Sequence, residues 1–180
     1  MLLTPTPFLL GRHRQWVNAF RARDIDAYVT RYAAIRCIVR PSNGFPYLGK
    51  QIRATFTPSA AGGGFAATNV SIGLWDGVAN KANMKAVPVE LLFGGGVGFG
   101  DTGGQMIQCD PLFFTFAQTD ALVFHFEGVY SSQIGALFDA LNCQSYSMSG
   151  TGFYNKAAGS TSQTLLSTDL VGVYSVDVYQ

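Results

Sequence analysis

Alternation with a period of two is the feature that most constrains this chain. Successive side chains of an extended strand point to opposite faces, so a half-buried strand reads apolar, polar, apolar. Lys50-Gln-Ile52-Arg-Ala54-Thr-Phe56-Thr follows that rule, with Ile52, Ala54 and Phe56 on one face. Asn69-Val70-Ser-Ile72-Gly-Leu74 follows it again and runs into an Asp76-Gly77 turn. Ala121–Tyr130 is the clearest case. Leu122, Phe124, Phe126 and Gly128 share one face, which predicts core. Val123, His125, Glu127 and Val129 share the other, which reads as a polar outer or intersubunit face.

Further strands are predicted at 35–39, 87–93, 105–109, 112–116, 144–149, 164–167 and 170–179. Pro88 has no amide hydrogen to give to a neighbour, which places its strand at a sheet edge. About nine or ten strands at intervals of roughly 8–15 residues predict an all-β fold, an antiparallel β-sandwich or jelly roll.

Two segments read differently. In residues 12–33, Ile25, Tyr28, Val29 and Tyr32 fall at helical spacing, with Trp16 and Phe20 extending the stripe and Asp24 available to cap a second, shorter helix where the segment breaks. Ser131–Asn142 repeats the spacing with Ile134, Leu137, Phe138 and Leu141. An N-terminal helical segment and one short inserted helix are therefore expected. Pro5 and Pro7 keep the first residues extended. The chain divides into a basic arm and helix over 1–33 and a β-sandwich domain over 34–180.

Charge sharpens that division. Only 13% of residues are charged, against about 25% in a typical soluble domain. Residues 1–53 hold eight Arg plus Lys50 against Asp24 and Asp26, a balance of +7; residues 54–180 hold three Lys against nine carboxylates, a balance of −6. A charge-poor surface with opposite halves suits a homo-oligomer or a particle assembly. Arg12, Arg14, Trp16, Phe20, Arg21 and Arg23 are the candidate attachment residues. The arm lacks the Lys/Arg runs of a nucleic-acid site, so nucleic acid is not the expected partner. The basic residues follow the short apolar start instead of preceding it, unlike a secretory signal. The longest stretch free of Asp, Glu, Lys and Arg, 54–75, is broken by Pro58 and Gly62-Gly63-Gly64, so no membrane helix is expected. The expected location is a virion or the cytoplasm.

Candidate chemistry is incomplete wherever it begins. Gly98-Phe-Gly100-Asp-Thr-Gly103 spells GxGxxG after a strand, but Gln105-Met-Ile-Gln-Cys109-Asp-Pro does not open the helix a dinucleotide needs. Gly100-Asp101-Thr102 resembles a nucleophile turn without a positioned histidine base. His125 and Glu127 project side by side, with nothing to bring Cys143 to them. Cys37, Cys109 and Cys143 are odd in number and widely spaced, which suggests buried thiols over disulfides or zinc ligands. No catalytic residue, metal or cofactor is predicted. Trp75, Tyr146 and Tyr154 lie among polar residues and are candidate glycan contacts, stacking against a sugar ring.

From Ile35 to Glu127 the chain resembles the β-sandwich accessory domain that stands beside the catalytic domain in some bacterial SGNH/GDSL hydrolases. The resemblance rests on Ile35-Arg-Cys-Ile-Val39, Gly49-Lys-Gln-Ile-Arg-Ala-Thr-Phe-Thr57, Asn69-Val-Ser-Ile72, Leu91-Leu-Phe-Gly-Gly95, Asp110-Pro111 and Leu122–Phe126. In that family the hydrolase chemistry belongs to another domain, so no catalytic residue carries over. The final third and the basic N-terminal arm are similar to small phage or prophage structural proteins. The expected function is a non-enzymatic assembly module, a virion component such as a capsid decoration, tail or fibre protein. The alternative is a carbohydrate-binding β-sandwich module.

Overall fold

The computed structural model describes residues 14–21, 26–28, 31–41, 43–57, 64–131, 134–137, 143–159, 162–167 and 170–180. Fifteen strands are formed among them. In chain order these begin with Trp16–Arg21 (β1), Asp26–Tyr28 (β2), Arg31–Val39 (β3), Gln51–Phe56 (β4) and Phe65–Ala66 (β5). Asn69–Leu74 (β6), Val89–Glu90 (β7), Ile107–Gln108 (β8), Leu112–Phe113 (β9) and Leu122–Ser131 (β10) follow. Ile134–Leu137 (β11), Gln144–Met148 (β12), Gln163–Ser167 (β13), Leu170–Val171 (β14) and Val173–Tyr179 (β15) complete the series.

Every described pairing is antiparallel. The first sheet has the order β1-β15-β4-β8, with β9 also on β4. The second has the order β13-β12-β3-β10-β6-β7, with β5 on β10. A small third sheet has the order β14-β11-β2. The two-residue strand after Pro88, β7, is an edge of the second sheet, where a proline can stand without breaking a ladder.

The period-two segments become the core. β4 buries Ile52, Ala54 and Phe56 and leaves Gln51, Arg53 and Thr55 half-buried. β10, at the centre of the second sheet, sends Leu122, Phe124 and Phe126 into the same apolar cluster. Val176 and Val178 of β15 and Cys37 and Ile72 of the second sheet complete the contact between layers. Phe56 is the pin. Its ring lies 5.3 Å from Phe126 and 5.8 Å from Phe124, both edge-on. Such pairs add about 0.5–1.5 kcal/mol each beyond the burial of their area. Cys37, Cys109 and Cys143 are buried thiols. Burial pushes the Cys109 thiol up to about 11, although its sulfur accepts a hydrogen bond from the Ala54 amide at 3.1 Å.

The two expected helices are corrected. The described parts of 12–33 are strands β1, β2 and the start of β3, and those of 131–142 fall in β10 and β11. A bulge interrupts the alternation of β1. The register of β1 on β15 shifts between Asn18 and Phe20, so the adjacent residues Ala19 and Phe20 are both buried and the alternation is lost. β11 owes its conformation to partners far along the chain, 26–28 and 170–171, which local spacing does not register. The boundary drawn at residue 34 falls inside β3, which runs from Arg31, and β1 is an integral strand of the first sheet.

The face of β10 that reads as outer is covered. Val123 joins Ile38, Ala82, Met84, Ala121 and Tyr146 in a second apolar cluster, and His125 and Glu127 are buried. The segments around 82–84 and 153–157 lie over it.

Candidate functional site

Two groups of polar residues stand out, one inside and one outside. The inner group is set by strand register. Tyr146 of β12, Arg36 of β3, His125 of β10 and Ser71 of β6 are direct neighbours in one row across four strands. All four are buried, Arg36 and His125 at 0% exposure.

Arg36 uses all five of its guanidinium hydrogens. Nε donates to His125 Nδ1 at 3.2 Å. Nη1 donates to the carbonyls of Ala82 (3.1 Å) and Ala157 (2.8 Å), and Nη2 to those of Phe153 (3.1 Å) and Lys156 (2.6 Å). Glu127 Oε1 accepts from the amides of Phe153 (2.5 Å) and Tyr154 (3.0 Å), while Ser71 Oγ donates to the Tyr154 carbonyl at 2.6 Å. His125 Nε2 lies 3.3 Å from Glu127 Oε1, close enough for attraction but out of line for a hydrogen bond.

The ionisation of the group follows from these contacts. Burial lowers Arg36 to about 10, offset in part by Glu127 and Asp76, so it stays charged at neutral pH. Burial opposes charge on Glu127, but the contact with His125 and the two amides outweighs it and holds the carboxyl down at about 2. Burial pushes the His125 pKa down, Glu127 opposes this, and the Arg36 charge adds to the lowering. The imidazole is therefore neutral at neutral pH, with Nδ1 as acceptor and its proton on Nε2. Nδ1 is engaged by Arg36, and Nε2 faces the Glu127 carboxylate without a formed hydrogen bond. Cys143 packs in the main core cluster. The cluster is a clamp on the 153–157 segment.

The outer group lies on the solvent side of the first sheet. Trp16, Tyr179, Gln51 and Phe113 are register neighbours across β1, β15, β4 and β9. Asn18, Asp177 and Arg53 form the next row. Trp16 and Tyr179 rings are 5.3 Å apart, and the Arg53 guanidinium sits 4.4 Å from the Trp16 centroid. Asp177 accepts from Asn18 Nδ2 at 2.9 Å and lies 3.6 Å from Arg53 Nε. Beside these rows is a cleft of about 480 Å³ lined by Arg14, Lys50, Gln51, Phe113 and Tyr179. Phe113 is 78% exposed.

Of the expected attachment residues, Arg12 and Arg23 lie outside the described residues. Arg14 and Trp16 both belong to this outer face, at the cleft and in the aromatic row. Arg21 is exposed with its guanidinium 5.6 Å from the Tyr174 ring. Phe20 is in the core.

The three expected glycan contacts are not brought into one exposed platform. Tyr146 is 1% exposed, with its hydroxyl donating to Gln144 Oε1 at 2.9 Å. Trp75 is half-buried against the same small cluster, its indole donating to the Lys81 carbonyl at 2.8 Å and Arg40 lying 5.3 Å from its ring. Tyr154 is half-buried in the clamped segment. The Gly98–Gly103 stretch is a loop anchored by the Ala67–Phe99 bridge. Gly98 is required there because a Cβ would meet the Ala67 and Thr68 carbonyl oxygens at 2.4 and 2.3 Å.

Local sequence patterns missed Arg36, Ser71, Lys50, Gln51, Arg53, Phe113 and Tyr179 as a set, because each row draws on strands remote in sequence. Among the described residues, no group of three or more His, Cys, Asp or Glu is placed to hold a metal ion. Among those residues no helix is long and apolar enough to cross a membrane. The chain matches no protein-family model and has no significant match among curated proteins.

Proposed function

We propose that this chain is a non-catalytic β-sandwich module that works by assembly, docking protein subunits through the outer face of its first sheet. A virion component, such as a capsid decoration, tail or fibre protein, is the setting this reading favours. The observation that carries it is Phe113, 78% exposed beside Arg14, Lys50 and the Trp16–Tyr179 pair. A phenyl ring held in water on a strand offers little to its own fold. Aromatic and arginine side chains around such a ring are the composition of an interface centre. A stable interface takes about 800 Å² from each partner, a small part of the 9603 Å² the described chain exposes. The inner cluster fits the same reading, since Arg36 and Glu127 are spent on holding the 153–157 segment.

Light scattering over a range of concentrations tests the proposal. Mass is expected to rise with concentration and to fall back in Phe113→Ser. A chain that stays monomeric at every concentration, alike in both forms, overturns it.

A second reading keeps the glycan alternative at a different place. Arg40, Asn43, Gln118 and Asp120 line a polar cleft of about 610 Å³, and Arg40 lies over Trp75. Binding to a glycan array that disappears in Trp75→Ala supports this reading; no binding, or binding indifferent to that change, removes it.

A further inference from the structure

We infer that docking through the first sheet is head-to-tail, with the outer face of one copy seated on the β7 edge of the next, so that association is open-ended. The arrangement rests on the docking reading above and names the surface that meets the face.

The face is a poor match for itself. Arg14 and Lys50 are exposed and line the cleft beside Phe113. The carboxylate in the neighbouring row, Asp177, is taken up by Asn18 Nδ2 at 2.9 Å and Arg53 Nε at 3.6 Å. Among the described residues, the unmatched charge around Phe113 is therefore positive. A two-fold axis through this face sets cations against cations, and like charges across an interface reject a partner. The surface that answers the face is a different one, acidic and with apolar side chains to cover the phenyl ring. A nucleic-acid strand is matched less well, since Arg14 and Lys50 are few cations for a groove that tracks a phosphate backbone.

The β7 edge has the required character. Asp76, Asp101 and Asp110 each hold a backbone amide, Asp120 pairs with Lys85, and Glu127 is buried in the clamp. Glu90 differs from them. It is exposed, and its carboxylate pairs with no cation among the described residues. Val87, 69% exposed, and the exposed Val89 and Leu92 flank it along the chain. β7 ends the second sheet, which leaves this strip open to a partner.

The two surfaces look in different directions. Glu90 is the register neighbour of Ser71, so its side chain falls on the clamp side of the second sheet, away from the face that carries Phe113. Contact between them leaves a free edge on one copy and a free face on the other. Such a heterologous contact closes into a ring or runs on as a row of copies.

Sedimentation of the full chain at low salt tests this. Wild-type mass is expected to grow past two copies as concentration rises. Phe113→Ser damages the face and leaves the edge; Glu90→Lys damages the edge and leaves the face. Each is expected to weaken self-association tenfold or more. Their equimolar mixture is expected to form pairs and stop there, because one intact edge then meets one intact face. Lys50→Glu is expected to weaken association as well, and Lys50→Glu/Glu90→Lys, with the signs exchanged on both surfaces, to restore it. Association lost in Phe113→Ser but unchanged in Glu90→Lys overturns the head-to-tail arrangement and leaves the docking reading standing. So does a wild type that stops at two copies, a mixture that stays monomeric, or a double variant that fails to recover. Wild-type association that nuclease treatment abolishes assigns the cations to nucleic acid and overturns it too. A wild-type chain that never leaves the monomeric state overturns the docking reading and the head-to-tail contact together.

Discussion

Arg36 and His125 face each other across β3 and β10, with the guanidinium Nε donating to the imidazole Nδ1 at 3.2 Å. That bond exists only while Nδ1 carries no proton. The same arginine holds four backbone carbonyls from two chain segments, so the state of one imidazole bears on the packing of the 153–157 loop.

Acid is therefore expected to destabilise the fold in two steps. The folded His125 pKa lies below its ordinary 6.5, chiefly through burial, so below that pH the unfolded chain binds more protons than the folded one. Stability then falls as pH drops. Glu127, held at about 2 against an ordinary 4.5, adds a second loss between those values, in the same direction. Thermal melts from pH 8 to pH 2 check this. Tm is expected to be level above pH 7 and to decline below about 6.5. Replacement by His125→Gln, which does not titrate, is expected to flatten the first decline.

Arg36→Lys is expected to destabilise the protein by about 2 kcal/mol or more, although charge is kept. An ammonium has three donors and no fork, so it leaves buried acceptors unsatisfied among the five that Arg36 serves. Urea unfolding reads the loss. Limited proteolysis is expected to cut near 153–157 first.

Phe56→Ala is expected to cost about 3–5 kcal/mol, the usual range for emptying a buried phenylalanine site. Its ring bridges the layers through Phe93, Phe99, Phe124 and Phe126, so truncation opens a void where the sheets meet. Phe113→Ser, at a 78% exposed position, is expected to change stability by no more than about 0.5 kcal/mol. Chemical denaturation of the two variants gives the contrast.

Much of the layering was legible in the sequence. The alternation of Ile52, Ala54 and Phe56 marked the buried face of β4, and Leu122, Phe124 and Phe126 marked the core face of β10, but Val129, expected on the opposite face, packs in the same cluster. Alternation failed where bulges interrupt it. In β15 the register shifts between Val173 and Ser175, so the buried set passes from Val173 to Val176 and Val178. The bulge in β1 broke the alternation of that strand in the same way.

The clamp was invisible for a different reason. His125 and Glu127 could be placed on one face, but their cover is held through backbone carbonyls and amides, which any residue supplies. Arg14 and Trp16 were marked by the charge split, whereas Lys50, Phe113 and Tyr179 reach the same face only through register.

Self-association of the chain, measured by light scattering in wild type and Phe113→Ser side by side, tests the central claim most directly. Docking through the outer face of the first sheet predicts concentration-dependent association in the wild type, lost in a variant that is folded and equally stable. Association of the same strength in both proteins, or monomers in both at every concentration, contradicts it.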